Sequence, residues 1–283
     1  SNLEEFIAAA SSADRVLFNG LFDSRIPVLF ARFPDIVRRG VWLPWGGDLY
    51  WHLYERESLR KEIETAFRRQ FFGRLHGVAT LIRGDYDLIK TWYQTPARYI
   101  ESAPNIFRFE SSDLDRIPCL RQKKNNIAIQ LGNSGNPSNE HFEMFEWFSR
   151  LRRKDVTFYA PLSYGDRAYI ESVIRRGREL FGERFVALTE LLSYEEYNHH
   201  LASMDVLIFN HRRQQGVNNI AISLYLGTKV FLRSDVTTWP YLADKLKCRV
   251  FDTKTIPRLS IDALLEMPDW AREENRKNIA VLF

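Results

Sequence analysis

From residue 127 onward, short apolar runs rich in β-branched residues alternate with longer amphipathic stretches, the pattern of repeated βα units wrapped around a parallel sheet. Residues 127–131 (IAIQL), 156–160, 185–188, 205–210 (DVLIFN), 229–232 and 249–251 read as six strands. Helices are predicted from near Ser138, from Asp166 to a closing Gly182, from Ser193, and over NNIAISLYLG ending at Gly227. Ser193 and Glu196 stand at S-x-x-E spacing, a capping box in which hydroxyl and carboxylate satisfy each other's backbone N–H groups. A chain written this way folds as a Rossmann-like domain.

The first half is less regular but of the same kind. A helix is predicted over 3–11, with strands at 16–18, ending near Leu43, near 78–82 and at 106–109. At roughly 150 residues per domain, 283 residues favour two domains. The polar, aperiodic stretch 110–126 (ESSDLDRIPCLRQKKNN) holds the linker, which divides the chain into 1–118, a linker proper at 119–126, and 127–283. Because the chain opens directly on a helix, the first half reads as lacking its opening βα unit.

Composition removes several function classes. With 45% hydrophobic and 27% charged residues, the chain is neither disordered nor low-complexity. Cys119 and Cys248 lie outside any metal or disulfide spacing, which points to a reducing, cytoplasmic setting. No apolar run approaches 18 residues and the N-terminal segment lacks a basic region followed by an apolar one, so neither a membrane span nor a secretory leader is expected. An excess of 40 basic over 36 acidic residues is far from the dense basic stripe of a nucleic-acid binder.

Three loops follow predicted strands in the second half, where a doubly wound sheet binds its ligand. Gly132-Asn133-Ser134-Gly135 combines backbone freedom with a following helix start, which suits a phosphate-bearing ligand; a plain tight turn is the alternative. In His211-Arg212-Arg213-Gln214-Gln215-Gly216-Val217-Asn218-Asn219, an arginine can neutralise a diphosphate while the backbone after Gly216 offers donors; a solvated basic loop is the alternative. In the third, 161–165, Tyr164 either stacks on a base or packs in the core. Neither GxGxxG nor GxxxxGK[ST] is present, which removes the warrants for a dinucleotide oxidoreductase or a P-loop NTPase.

In the first half, LPWGGDLYWHLYER places Asp48 at a glycine-rich strand end beside Trp45, Tyr50 and Trp51, where it is either a general base facing a sugar or a helix N-cap. Arg56, Arg60, Lys61, Arg68, Arg69 and Arg74 make the next helix basic, and with Phe71 and Phe72 it is suited either to an anionic membrane or to solvent. Asp85-Tyr86-Asp87 and Asp113-Leu114-Asp115 are DxD strings that follow no strand, and no metal is expected there. His199 and His200 read as packing or surface residues, and no G-x-S-x-G elbow occurs.

The strings WGGDLY (45–50), GNSGNPSNEH (132–141), AYIE (168–171) and RQQG (213–216) carry a resemblance. In their order and spacing the chain resembles the bacterial TDP-4-acetamido-4,6-dideoxygalactose:lipid II transferases of enterobacterial common antigen synthesis, the 4-α-L-fucosyltransferases, from about Leu17 to Phe251. The resemblance implies a GT-B architecture of two Rossmann-like domains facing a central cleft. It implies inverting, metal-independent, cofactor-free transfer from a TDP-sugar to a polyprenyl-diphosphate-linked saccharide at the cytoplasmic face of the inner membrane. On that reading Gly132, Asn133, Ser134, Gly135, Asn139, Glu140, Tyr164, Arg213, Gln214, Gln215, Gly216, Asn218 and Asn219 hold the donor nucleotide. Trp45, Gly46, Gly47 and Tyr50 then face the acceptor, and Asp48 takes its proton. His211-Arg212 and Val217-Asn218-Asn219 depart from the family's neighbouring residues, which leaves open a transferase using a UDP- or another TDP-sugar in an O-antigen or exopolysaccharide pathway. Rivals are a sugar-nucleotide epimerase, for which a clear second carboxylate is missing, and a non-catalytic nucleotide-sugar-binding module.

Overall fold

The computed structural model describes residues 3–54, 57–102, 114–117, 126–151 and 153–283, which form two compact units, Ser1–Pro104 and Asn105–Phe283. In the first unit β1 (Val16–Asn19), β2 (Gly40–Leu43), β3 (Gly77–Thr80) and β4 (Arg98–Glu101) make a parallel sheet in sequential order. Its helices are α1 (Leu3–Ser12), α2 (Arg25–Phe30), α3 (Pro34–Arg38), α4 (Gly47–Tyr54), α5 (Leu59–Phe72) and α6 (Arg83–Tyr93). Aromatic side chains dominate the core: Phe18, Phe30, Phe71 and Phe72 are buried, and Trp42 stacks on Phe72 with ring centroids 4.5 Å apart.

The strand expected at 78–82 stops at Thr80, because Ile82 is already the cap of α6. Sequence patterning misses β4: Arg98-Tyr99-Ile100-Glu101 is an edge strand whose ends are exposed, so it shows no clean alternation. The strand expected at 106–109 lies outside the described residues. So does most of the expected linker, apart from Leu114–Ile117 and Asn126; there Leu114 is buried and Asp115 accepts a hydrogen bond from the Tyr225 hydroxyl at 2.9 Å.

In the second unit β5 (Ile127–Leu131), β6 (Val156–Pro161), β7 (Phe185–Leu188), β8 (Val206–Phe209), β9 (Lys229–Leu232) and β10 (Phe251–Asp252) pair in parallel in the order β7-β6-β5-β8-β9-β10. The order reverses between β5 and β8, so the connections leaving those two strands diverge and open a crevice at their carboxyl ends. The helices that position it are α7 (His141–Phe148), α8 (Arg167–Phe181), α9 (Tyr194–Ala202) and α10 (Val217–Tyr225). Asp166 caps α8 by accepting from the Tyr169 N–H, and Gly182 closes it at φ +57°. The capping box forms as predicted: Ser193 N–H donates to Glu196 and Glu196 N–H to the Ser193 hydroxyl, at 2.8 and 3.2 Å.

The helix expected from Ser138 starts later. Pro137–Asn139 is a 3₁₀ turn capped by the Asn136 side chain, and Glu140 turns left-handed (φ 55°) before α7 begins at His141.

Candidate functional site

Three loops leave the carboxyl ends of β5, β6 and β8 in the second unit, and hydrogen bonds lock them together. The Gly135 N–H donates to the Tyr164 carbonyl at 2.8 Å and the Asp166 N–H to the Gly135 carbonyl at 3.0 Å, so the first and third loops meet as a short parallel bridge. Gly165 holds φ +135°, and a Cβ there would lie 2.3–2.8 Å from Gly135 backbone atoms. Only glycine permits that approach.

Gln215 joins the first and second loops. Its Nε2 donates to Asn133 Oδ1 at 3.0 Å and to Ser134 Oγ at 2.9 Å, while its Oε1 accepts from Ser138 Oγ at 2.8 Å. Beneath them Asn139, fully buried, accepts on Oδ1 from the Asn133 N–H (2.9 Å) and from His211 Nε2 (2.8 Å). Because that oxygen is an acceptor, His211 carries its proton on Nε2. Burial pushes the His211 pKa down to about 3, with the neighbouring Arg213 charge acting in the same sense, so the ring is neutral. His141, equally buried, is held down to about 4 by desolvation.

The structure thus brings Asn133, Ser134, Asn139 and Gln215 into one polar network, with Gly132 and Gly216 packed against it and Gly135 on the bridge to the third loop. Ser134 and Asn139 are its buried bracing, while Asn133, 5% exposed, lies on the rim of the crevice. Arg213 is 8% exposed and donates to the Gln214 carbonyl at 3.1 Å. Burial raises the Tyr164 hydroxyl above its ordinary pKa, with Ser134 and the Arg213 charge opposing the shift. Glu140 instead forms an ion pair with Arg212 at 2.9 Å.

Gly216 (φ +68°) caps α10, whose first N–H groups have no carbonyl partner within the helix. Beside it opens a cavity of about 350 Å³ lined by Asn133, Tyr164, Asn218 and Asn219 together with Tyr197 and Asn198 of α9. Asn219 Nδ2 donates to the Tyr197 hydroxyl at 3.3 Å, and burial holds that phenol far above its usual pKa. Sequence reasoning passed over the 190–198 wall of this cavity. Its available signal was the pair Leu191-Leu192 in a loop after a strand, and they are 78% and 38% exposed. His200 packs against Gln130 at 2.9 Å and His199 lies near the surface, as their spacing implies.

In the first unit Asp48 is 2% exposed. Its Oδ2 accepts from the Leu21 N–H (2.8 Å) and Trp42 Nε1 (3.0 Å), and its Oδ1 accepts from the Trp45 N–H (2.8 Å). This is the geometry of an anchor joining the ends of β1 and β2 to the first turn of α4, close to the capping alternative. Tyr50 faces the core and donates to Asp85 at 3.0 Å, because the inner face of α4 carries Leu49 and Tyr50. Trp45 is half-exposed, with its ring N–H on Asn19 Oδ1 at 2.6 Å. Gly46 takes φ +84°, and Gly47 lies under Phe22.

Phe71 and Phe72 of the basic helix α5 face inward and not toward a membrane as expected. Phe71, Phe72 and Arg68 are buried, since the apolar face that could meet lipid is used by the core. Arg68 pairs with Glu64 at 3.0 Å, donates to the Leu21 carbonyl at 3.0 Å and lies over the Trp51 ring. Arg56 lies outside the described residues. Asp85 and Asp87 serve different partners, Tyr50 and Arg83, and Asp113 lies outside the described residues. Among the described residues no group of three or more His, Cys, Asp or Glu could hold a metal ion, and no helix is long and apolar enough to cross a membrane.

Many solved structures are similar in fold, three of them as follows. Sucrose-phosphate synthase from Thermosynechococcus elongatus matches with a TM-score of 0.70 at 13% identity, over 99% of this chain and 72% of its own. A UDP-forming α,α-trehalose-phosphate synthase from Burkholderia xenovorans, in complex with glucose-6-phosphate, matches with 0.68 at 12% identity, over 99% and 71%. WaaG, a glycosyltransferase involved in lipopolysaccharide biosynthesis, matches with 0.62 at 15% identity, over 98% and 75%. The family described as 4-alpha-L-fucosyltransferase, glycosyl transferase group 56, matches residues 3–263. With its parallel sheets and its three joined loops at a reversal of strand order, the chain is a glycosyltransferase of the GT-B fold and belongs to the 4-alpha-L-fucosyltransferase family.

Proposed function

We propose that this enzyme transfers a 4-acetamido-4,6-dideoxyhexose from a TDP-sugar to a polyprenyl-diphosphate-linked saccharide in bacterial surface polysaccharide synthesis, with inversion and without a metal or cofactor. The observation that carries this reading is the network through Gln215 and Asn133, which joins the first loop to the loop that carries Arg213 and runs into the N-terminus of α10. In the reaction the acceptor hydroxyl attacks the anomeric carbon as the bond to the β-phosphate breaks. The leaving diphosphate gains charge, and Arg213 with the free N–H groups after Gly216 stabilises it. On this reading Asp48 shapes the acceptor-side loop, and its three hydrogen bonds leave proton abstraction to another group.

The acceptor places the enzyme at the cytoplasmic face of the inner membrane. The outer side of α5, with Leu59, Arg60, Ile63 and Arg69 exposed, suits contact with an anionic lipid surface. Nucleic acid is no partner on this reading.

The test is a transfer assay with the lipid-linked acceptor and a panel of TDP- and UDP-sugars, run beside a thermal-shift panel of TDP, UDP, GDP and CMP. Transfer from the TDP-sugar, with a stabilisation by TDP that weakens in Arg213→Ala, supports the proposal. Transfer from a UDP-sugar alone moves the enzyme to another polysaccharide pathway, a reading favoured by the His211-Arg212 departure. Binding without transfer leaves a nucleotide-sugar-binding module.

A further inference from the structure

In the first unit two aromatic rings stand exposed where the glycine-rich loops leave β1 and β2: Phe22 is 66% exposed and Trp45 52%. Both lie against the same glycine. A Cβ at Gly20 would meet the Phe22 ring at 2.6 Å and the Trp45 ring at 3.3 Å, and one at Gly47 would meet Phe22 at 3.2 Å. Gly20 takes φ +80°, so the backbone bends to seat the rings at a position where a side chain would displace them. Buried groups hold both loops from beneath. Asp48 accepts from the Leu21 N–H on one loop and the Trp45 N–H on the other, at 2.8 Å each, and Arg68 donates to the Leu21 carbonyl at 3.0 Å. The Trp45 ring is fixed further by its N–H on Asn19 Oδ1 at 2.6 Å. A buried carboxylate and a buried guanidinium thus fix the backbone beside two rings that stay in solvent, and rings held this way lose little freedom when a flat apolar face covers them.

The carboxyl ends of parallel strands are where such sheets receive ligands. Resting on the transferase reading above, we propose that Phe22 and Trp45 form a platform for one pyranose ring of the acceptor saccharide, with Phe22 a residue that sets acceptor affinity. One face of a pyranose presents a patch of C–H bonds that meets an aromatic face, while its rim carries hydroxyls that need polar partners. Asn19 supplies one: it is exposed beside Trp45, and its amide nitrogen remains for an acceptor oxygen. The loop does not suit an anionic lipid surface. From Asn19 to Arg25 its charged residues are Asp23 and Arg25, which pair with each other at 2.7 Å and leave no net charge. The Trp45 ring N–H is likewise held by the protein instead of being free for a headgroup.

Steady-state transfer by the full chain tests this, with a water-soluble, short-chain form of the lipid-linked acceptor. Phe22→Ala is expected to raise the acceptor KM about tenfold and to leave the donor KM unchanged. Phe22→Tyr keeps the ring face and restores the wild-type value, whereas Phe22→Leu keeps apolar bulk without the ring and does not. Co-sedimentation with vesicles of phosphatidylglycerol and phosphatidylethanolamine separates the lipid alternative. There Phe22→Ala weakens vesicle binding, Phe22→Leu retains it, and the KM for the soluble acceptor stays at wild type. That pattern, or an equal acceptor KM in wild type, Phe22→Ala and Phe22→Leu, overturns the inference while the transferase reading stands. A general distortion of the loop raises donor and acceptor KM together, and that outcome also overturns it. If Phe22→Ala does not fold, the comparison of Phe22→Tyr with Phe22→Leu decides. Absence of transfer by the wild-type protein from every sugar nucleotide of the panel overturns the functional reading and this inference with it.

Discussion

Gln215 Nε2 lies 3.0 Å from Asn133 Oδ1, and this bond joins loops 82 residues apart in sequence across the reversal of strand order. Replacing Gln215 with leucine removes its bonds to Asn133 Oδ1, Ser134 Oγ and Ser138 Oγ at once, and the two hydroxyls keep their bonds to Asn139 and Asn136. A loss of about 1–3 kcal/mol of stability is expected by denaturant unfolding. Affinity for the proposed TDP donor should fall with it, because the loops are no longer held in register. Unchanged stability and affinity would show that the two loops are positioned independently.

Asp48→Asn separates an anchor from a base. Burial of a carboxylate that accepts from two backbone N–H groups and an indole predicts a destabilisation of about 2–4 kcal/mol, with the remaining folded enzyme retaining much of its turnover. A general base gives the reverse pattern: stability near wild type and kcat down by about 10²–10⁴. Thermal unfolding and turnover per folded molecule, measured on the same sample, discriminate the two.

Two glycines with positive φ should respond differently to alanine. At Gly165 a Cβ collides with the Gly135 backbone, so Gly165→Ala is expected to cost about 3 kcal/mol or more and to part the first and third loops. Gly182 has φ +57° with nothing within 4 Å of the added carbon, and only the conformational cost of about 1 kcal/mol applies. Similar losses at both positions would remove the argument for a required backbone approach at Gly165.

Acid should loosen the second unit around the buried His211 and His141. His211 and His141 are neutral in the fold with pKa values of about 3 and about 4, below the unfolded value near 6.5. Between those limits the unfolded chain binds more protons, so the stability these rings contribute is fully present above pH about 6.5 and is lost as pH falls toward 4. The slope approaches about 1.4 kcal/mol per pH unit for each ring. Unfolding free energies at pH 7.5 and 5 check it, and a His211→Asn variant should show a shallower decline.

Alternating periods and glycine punctuation made the second unit legible from the chain alone, because each βα turn is a local arrangement whose strand, cap and turn residues are neighbours in sequence. Five of the six strands, the capping box at Ser193 and the closing Gly182 follow from that, while the last strand, expected at 249–251, forms at Phe251–Asp252. The edge strand β4 was lost because its exposed ends erase the alternation on which such reading depends. WGGDLY showed that Asp48 matters, but its spacing could not say whether the carboxylate faces solvent or three donors brought from Leu21, Trp42 and Trp45.

Local sequence also marked the three loops as ligand-facing, one by one. Their joining through Gln215 and through the Gly135–Gly165 contact was decided only in the folded chain, since it depends on strand order and on the register of strands distant in sequence. The same holds for Phe71 and Phe72: a helix pattern shows that one face is apolar, and only packing decides that this face meets the core rather than lipid. The cavity wall from Leu191 to Asn198 emerges last, because a cavity is a property of everything around it and has no signature along the chain.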